Sequence, residues 1–321
     1  MKFKARSRSL LVFVIFLGTF FSNVLSEPIS NFTKPTTLPK YFAIDVDGTF
    51  FIKDETKFKR NIAALKLLKE KNVIAFFCTV QMYLLNNHFT FCSSIFSGTS
   101  FNAIKNKFGA DFQREAAYNL LPGIYSNGSI IYDNYGILIH KSVFKSDFIE
   151  KFIKFVNDKN YRSHVVFFGV VDIYSLEASL EPKDELTLNL TPIVKSDSEL
   201  KNLDITGIRI KKINIEVEGL TEGTDFVKFD EAKVNVIFPE LSLKDLSLKK
   251  LIERWDGKIS ECAYIGNDMN DLSVMSLPDI MSFAVADAKD EIKNNAKWVL
   301  DLKHDECAFE KVVNLLYGDQ N

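Results

Sequence analysis

Apolar runs of strand length alternate with helix-patterned segments at both ends of this chain, and that alternation limits the possible folds more than any single motif. YFAID (41–45) is a short apolar run ending in an acid, and VIAFFC (73–78) is a second buried-strand run. Between them FKRNIAALKLLKEK (58–71) has helical periodicity, with Ile62, Leu65, Leu67 and Leu68 on or near one face and lysines on the other. The order returns late: VNVIF (234–238), a helix at 245–255, CAYIG (262–266), a helix near 269–276, IMSFAV (280–285), then helices near 288–295 and 305–316. Strands separated by helices predict an α/β fold, a parallel sheet with helices on both faces.

The middle has a different grammar. IIYDNYGILI (130–139) places Asp-Asn-Tyr-Gly between two apolar arms, a hairpin signal. Residues 146–158 read as a helix, and GIRIKKINIEV (207–217) alternates like a half-exposed strand. Residues 180–205 are polar and poorly patterned, and read as loop. Hairpins with helices suggest an α+β module inserted into the α/β core. The expected division is a core of residues 40–130 and 237–321 around an insert of 131–236.

The N-terminus is read separately. Lys2, Lys4, Arg6 and Arg8 form a basic region, Leu10 to Phe21 an apolar run, and Val24-Leu25-Ser26 a small-residue cleavage site. That pattern predicts a cleaved secretory signal over residues 1–26 rather than the competing reading, an uncleaved signal anchor, because the continuous apolar run is shorter than the ~20 residues a bilayer span needs. The expected routing is the secretory pathway (secreted, lumenal or onward to an organelle), with no membrane attachment after cleavage. Residues 27–39, rich in Pro, Ser and Thr, read as a flexible leader. Loss of four basic residues from 40 leaves 36 against 42 acidic ones, net −6. No basic footprint for nucleic acid exists.

The four cysteines, Cys78, Cys92, Cys262 and Cys307, are too few and scattered for a disulfide framework. Cys78 and Cys262 fall in apolar runs and read as buried thiols. The four histidines are dispersed without metal-ligand spacing. Sequons stand at Asn31, Asn127 and Asn189.

Chemistry concentrates at strand ends. Asp45-Val46-Asp47-Gly48-Thr49 puts two carboxylates and a turn glycine on the exit of the first strand, at the sheet edge where open α/β folds bind ligands. Gly266-Asn267-Asp268-Met269-Asn270-Asp271 follows another apolar strand, and a helix start needs one cap rather than four polar side chains. Lys244 opens a helix about twenty residues upstream of this cluster.

At these residues the sequence resembles the haloacid dehalogenase (HAD) superfamily, and looks most like its Cof-type, subclass IIB branch. DVDGT matches the first motif, Thr79 the second, Lys244 in SLKDLSL the third, and Gly266 to Asp271 the fourth. YSNGSIIYD (125–133) is similar to the segment leading into the cap, and VADAKDEIKNNAKWVL (285–300) to the closing strand and helix. The resemblance implies a Rossmann-like core with an inserted C2-type cap. It implies an Mg²⁺-dependent phosphoric monoester hydrolase acting on small phosphorylated metabolites, sugar phosphates above all. Asp45 would be the nucleophile and Asp47 the acid/base. Thr79, Lys244 and Asn270 would bind phosphate, Asp45, Asp47, Asn267 and Asp271 the metal, and Asn127 with Gly128 would form a substrate loop. Two positions depart from the pattern: Val80-Gln81 stand where Gly-Arg is usual, and Asn267 where an aspartate is usual. The rival readings are a secreted binding protein without turnover and a phosphomutase.

Overall fold

The computed structural model describes residues 26–79, 108–109, 111–178, 186–187, 190–231, 233–240 and 242–319. Residues 1–25 of the expected secretory signal, Val80-Gln81, Cys92 and the sequon residue Asn189 lie outside the described residues. A nine-stranded sheet runs in the order Glu27–Pro28, Trp298–Val299, Met281–Ala284, Cys262–Gly266, Tyr41–Ile44, Ile74–Cys78, Gly123–Tyr125, Ile130–Tyr132 and Leu138–Lys141. Every pairing from the first strand to Gly123–Tyr125 is parallel, and the last two are antiparallel. Tyr41–Ile44 and Cys262–Gly266 are buried along their whole length, as strands covered on both faces must be.

The helix Glu55–Glu70 starts where Asp54 accepts a hydrogen bond from the Lys57 backbone N–H at 2.9 Å. Phe58, Ile62, Leu65 and Leu68 form its buried stripe, which packs on the terminal helix Ala308–Tyr317 through partners that include Phe309, Val312 and Leu316. The stripe follows helical spacing, so burial rather than propensity holds this helix in place.

A second sheet has the order Phe226–Asp230, Val234–Pro239, Ile205–Lys211, Val165–Gly169, Ile173–Ser175 and Ile193–Val194. The amphipathic helix Ser146–Asp158 covers one face, burying Phe148, Phe152 and Val156 against Phe167, Ile208 and Ile210. Cys78, Cys262 and Cys307 are buried free thiols. Among the described residues no helix is long and apolar enough to cross a membrane.

The structure differs from the expected organisation in four places. The hairpin arms Ile130–Tyr132 and Leu138–Lys141 extend the core sheet, so the inserted module begins after Lys141 rather than at 131. VNVIF belongs to the module's sheet, not the core's, and moves the second boundary to about 239. Both errors share a cause: a fully apolar strand reads the same whichever sheet buries it. Residues 27–39 are no free leader, because Glu27–Pro28 pairs with Trp298–Val299, Ile29 is buried and Phe32 packs edge-on against Trp298. Within 180–205, Ser196 and Glu199 form a reciprocal capping box that starts the short helix Asp197–Leu200.

Candidate active site

Parallel neighbours end at one sheet edge, so their exit loops meet. Tyr41–Ile44 delivers Asp45, Ile74–Cys78 delivers Thr79, and Cys262–Gly266 delivers the 267–271 loop. Asp45 is still tied to the sheet, its N–H donating to the Ile265 carbonyl at 3.0 Å. The chain then turns through Gly48 at φ +71°, and a Cβ there would lie 2.1 Å from Asn267 Nδ2. Conformation and space both require glycine.

Lys244 arrives from the far side of the inserted module. The segment Ser126–Gly128, with φ of +51°, +55° and +106°, holds the approach to its helix. Asn127 Nδ2 donates to the Ser242 carbonyl at 2.7 Å, Ser129 Oγ to Ser242 Oγ at 2.7 Å, and Ser247 Oγ to the Gly128 carbonyl at 2.9 Å. Asn127 and Gly128, expected as a substrate loop, are therefore buried supports for residues 242–247 and do not line the cavity. The Asn127 amide is enclosed, so a glycan does not fit there in the folded chain.

At the centre Lys244 Nζ sits 2.7 Å from Asp45 Oδ1 and 2.6 Å from Asp271 Oδ1, with all three side chains out of water. Asp271 Oδ1 also accepts from the Tyr264 hydroxyl at 2.5 Å, and its Oδ2 accepts the backbone N–H groups of Asn267 (2.7 Å) and Asp268 (3.1 Å). Two carboxylates share one ammonium in a low-dielectric site, which leaves excess negative charge. Burial, then repulsion from Asp271, pushes the Asp45 carboxyl up to about 7 against the pull of Lys244. Burial alone would lower Lys244, but Asp271 and Asp45 outweigh it and hold the ammonium protonated. Burial and the adjacent Asp271 likewise raise the Tyr264 phenol, which stays a donor.

The expected metal set is brought together only in part. Among the described residues no three His, Cys, Asp or Glu side chains form a metal-sized group. Asp271 has its oxygens committed to Lys244, Tyr264 and two backbone amides. Asp45 Oδ2 and Asn267 Oδ1 nonetheless converge on the Thr49 hydroxyl, at 3.1 and 3.4 Å. Hard oxygens in one corner beside uncompensated negative charge fit Mg²⁺.

A cavity of about 530 Å³ lies between core and inserted module. Asp45, Asp47, Thr79 and Asn270 line its core side, while Arg209, Phe229 and Glu231 line the opposite side. Lys244, expected at the phosphate, stands behind Asp45 rather than on the cavity wall. Sequence reasoning missed Tyr264 and Arg209. Tyr264 left a signal, since a tyrosine inside a buried strand needs a partner for its hydroxyl. Arg209 left none, because an arginine in an alternating strand reads as solvent-facing.

A carboxylate–lysine–carboxylate centre at the carboxyl edge of a parallel sheet, roofed by an inserted α+β module, defines a Rossmann-like hydrolase class with a cap. The model of the haloacid dehalogenase-like hydrolases matches residues 94–311, and the chain belongs to that family. The matched span holds Lys244 and the 267–271 loop, with Asp45, Asp47 and Thr79 upstream of it. No curated protein matches the chain. Among solved structures, a HAD/COF-like hydrolase from Plasmodium vivax aligns with TM-score 0.69 at 20% identity over 87% of this chain and 96% of its own. A haloacid dehalogenase-like hydrolase from Bacteroides thetaiotaomicron aligns with TM-score 0.63 at 16% identity, over 86% and 98%. A HAD subclass IIB sugar phosphatase gives 0.63 at 17%, again over 86% and 98%. At such identities the likeness is one of fold.

Proposed function

We propose that this chain hydrolyses small phosphate monoesters through an aspartyl-phosphate on Asp45. The observation that carries the reading is the buried Lys244 ammonium 2.7 Å from Asp45 Oδ1, behind the cavity that Asp45 and Asp47 line. The Asp45 carboxylate attacks phosphorus and the bond to the ester oxygen breaks. Asp47, two residues on and lining the same cavity, gives its proton to the leaving alkoxide. Asp47 then takes a proton from the water that attacks the aspartyl-phosphate, and the phosphorus–Asp45 bond breaks to release phosphate. Thr79 and Asn270 offer donors on the cavity wall. Lys244 holds Asp45 in orientation.

Mg²⁺ would be held by the Asp45 carboxylate and the Asn267 amide oxygen, joined by the Asp47 backbone carbonyl. When bound, it would supply charge compensation for Asp45 and for the phosphoryl oxygens. Asp271 acts as the anchor of Lys244 in this scheme. The cavity suits a metabolite rather than a phosphopeptide, and the likeness to a sugar phosphatase favours sugar phosphates as the first class to try.

The test is phosphate release by residues 27–321 from p-nitrophenyl phosphate and a sugar-phosphate panel, with and without Mg²⁺, beside Asp45→Asn. Metal-dependent release lost in the variant supports the reading; phosphoryl transfer between sugar positions would instead mark a mutase. Asn267 favours the second reading, a binding protein that has lost turnover. Folded protein with no release on any ester would select it. Secretory routing by residues 1–26 stays part of the proposal, read by whether the exported chain begins near Glu27.

A further inference from the structure

The cavity wall opposite Asp45 carries a pair that the reaction above does not use. Arg209 lies on the central strand Ile205–Lys211, where Ile208 and Ile210 face the covering helix and Arg209 takes the other face. In register it stands beside Val236, which is flanked on its other side by Phe229. Arg209 is only 6% exposed, and its guanidinium grips Glu231 in two places, Nη2 to Oε2 at 2.6 Å and Nη1 to Oε1 at 3.3 Å. Among the described residues its Nε has no hydrogen-bond partner, and Glu231 is the carboxylate that orients the group. The other cations lining the cavity are matched too: Lys228 on the same wall lies 3.6 Å from Asp230, and Lys289 on the core side lies 2.5 Å from Asp268. Among the described residues the cavity lining offers no cation without a carboxylate beside it.

We propose that Glu231 is a specificity filter: by occupying Arg209 it turns away phosphate esters whose leaving group carries a second anion, and admits neutral ones. A second phosphate or a carboxylate would have to displace Glu231 from a bidentate pair with a buried arginine and then sit against its charge. A hydroxyl-bearing leaving group meets no such repulsion. It finds donors and acceptors in the pair and an apolar face in Phe229. The inference rests on the phosphatase reading for its substrate, yet it concerns only the cap wall.

The experiment compares glucose 6-phosphate with glucose 1,6-bisphosphate, and glycerol 3-phosphate with 3-phosphoglycerate, in wild type, Glu231→Gln and Glu231→Gln/Arg209→Met. Glutamine keeps the shape and one acceptor, so folding is preserved. The expected result is a kcat/KM ratio of at least ~10 for the neutral over the anionic member in wild type. In Glu231→Gln that ratio should fall by ~10-fold, and the double variant should lose the gain because the freed arginine is gone. An unchanged ratio in Glu231→Gln, or a wild type that prefers the doubly charged esters, overturns the filter. Ligand-induced shifts in Tm for the same pairs and variants give the same contrast without turnover. A filter seen in Tm with no hydrolysis would fail the phosphatase reading alone; hydrolysis with no contrast would fail the filter alone.

Discussion

Lys244 Nζ lies 2.7 Å from Asp45 Oδ1 although 199 residues separate the two along the chain. Neither side chain is exposed, and the same ammonium reaches Asp271 at 2.6 Å. This centre thus holds two buried carboxylates against one buried cation. Most of the expected behaviour of this site follows from that imbalance.

Asp45→Asn should lower kcat by roughly 10⁴-fold or more, since an amide is no nucleophile toward phosphorus. The same change should stabilise the metal-free protein at pH 8, because it leaves Lys244 and Asp271 as a matched pair. The sign follows from the raised carboxyl, which moves from 3.8 to about 7 on folding. Between those values the folded chain keeps a proton that the unfolded chain has lost, so stability falls as pH rises through the window. Melting curves in chelator from pH 4 to 8 should show that slope in wild type and a flatter one in the variant. A variant that melts below wild type at pH 8 would count against a buried charge excess.

Removing the cation should do the reverse. Lys244→Met leaves Asp45 and Asp271 buried without a counter-charge and should cost about 3–5 kcal/mol at pH 8. The loss should shrink toward pH 5 as Asp45 takes up a proton. Urea denaturation at the two pH values reads the difference, and an equal loss at both would contradict it.

Asn267→Asp should tighten the divalent-cation site. Asn267 Oδ1 and Asp45 Oδ2 already meet at the Thr49 hydroxyl, so the aspartate adds charge where the oxygens converge. Half-saturation by Mg²⁺ should fall by about 10-fold. Without metal the variant should be less stable than wild type, because it adds a third acid to an overcharged corner. Magnesium titration of phosphate release gives the first quantity, and thermal melting in chelator the second.

Gly128→Ala should disturb the site from behind. Gly128 has φ +106°, and a Cβ there would stand 2.6 Å from Ser247 Oγ and 2.8 Å from the Leu243 carbonyl. The backbone strain alone should cost about 1–3 kcal/mol. The carbonyl cannot rotate away without moving Lys244, the next residue. A fall in kcat exceeding any change in KM is the expected signature, whereas wild-type kinetics would show that 126–128 does not position the helix.

How much was legible beforehand differs by residue. Asp45 and the 267–271 loop were placed by local grammar, since apolar strands followed by polar exits put side chains at one edge of a parallel sheet, whereas Thr79 was picked out by the family resemblance. Helices such as Ser146–Asp158 coincide with their sequence pattern because a one-sided apolar stripe fixes both position and face. Membership of a sheet was not legible. Ile130–Tyr132 and Val234–Pro239 are each buried throughout, and nothing in an apolar run says which neighbour buries it.

The sequence by itself determined the alternation of strands and helices, the turn at Gly48 and the identity of the acids delivered to the sheet edge. Those depend on periodicity and backbone conformation, which act over a few residues. Only the tertiary structure decided what each acid faces. It gave Asp271 to Lys244 and Tyr264, assigned Asn127 to the support of Ser242, and buried Arg209 against Glu231. Such pairings join residues from different elements, and desolvation, which sets their strength, exists only once the whole chain has closed around them.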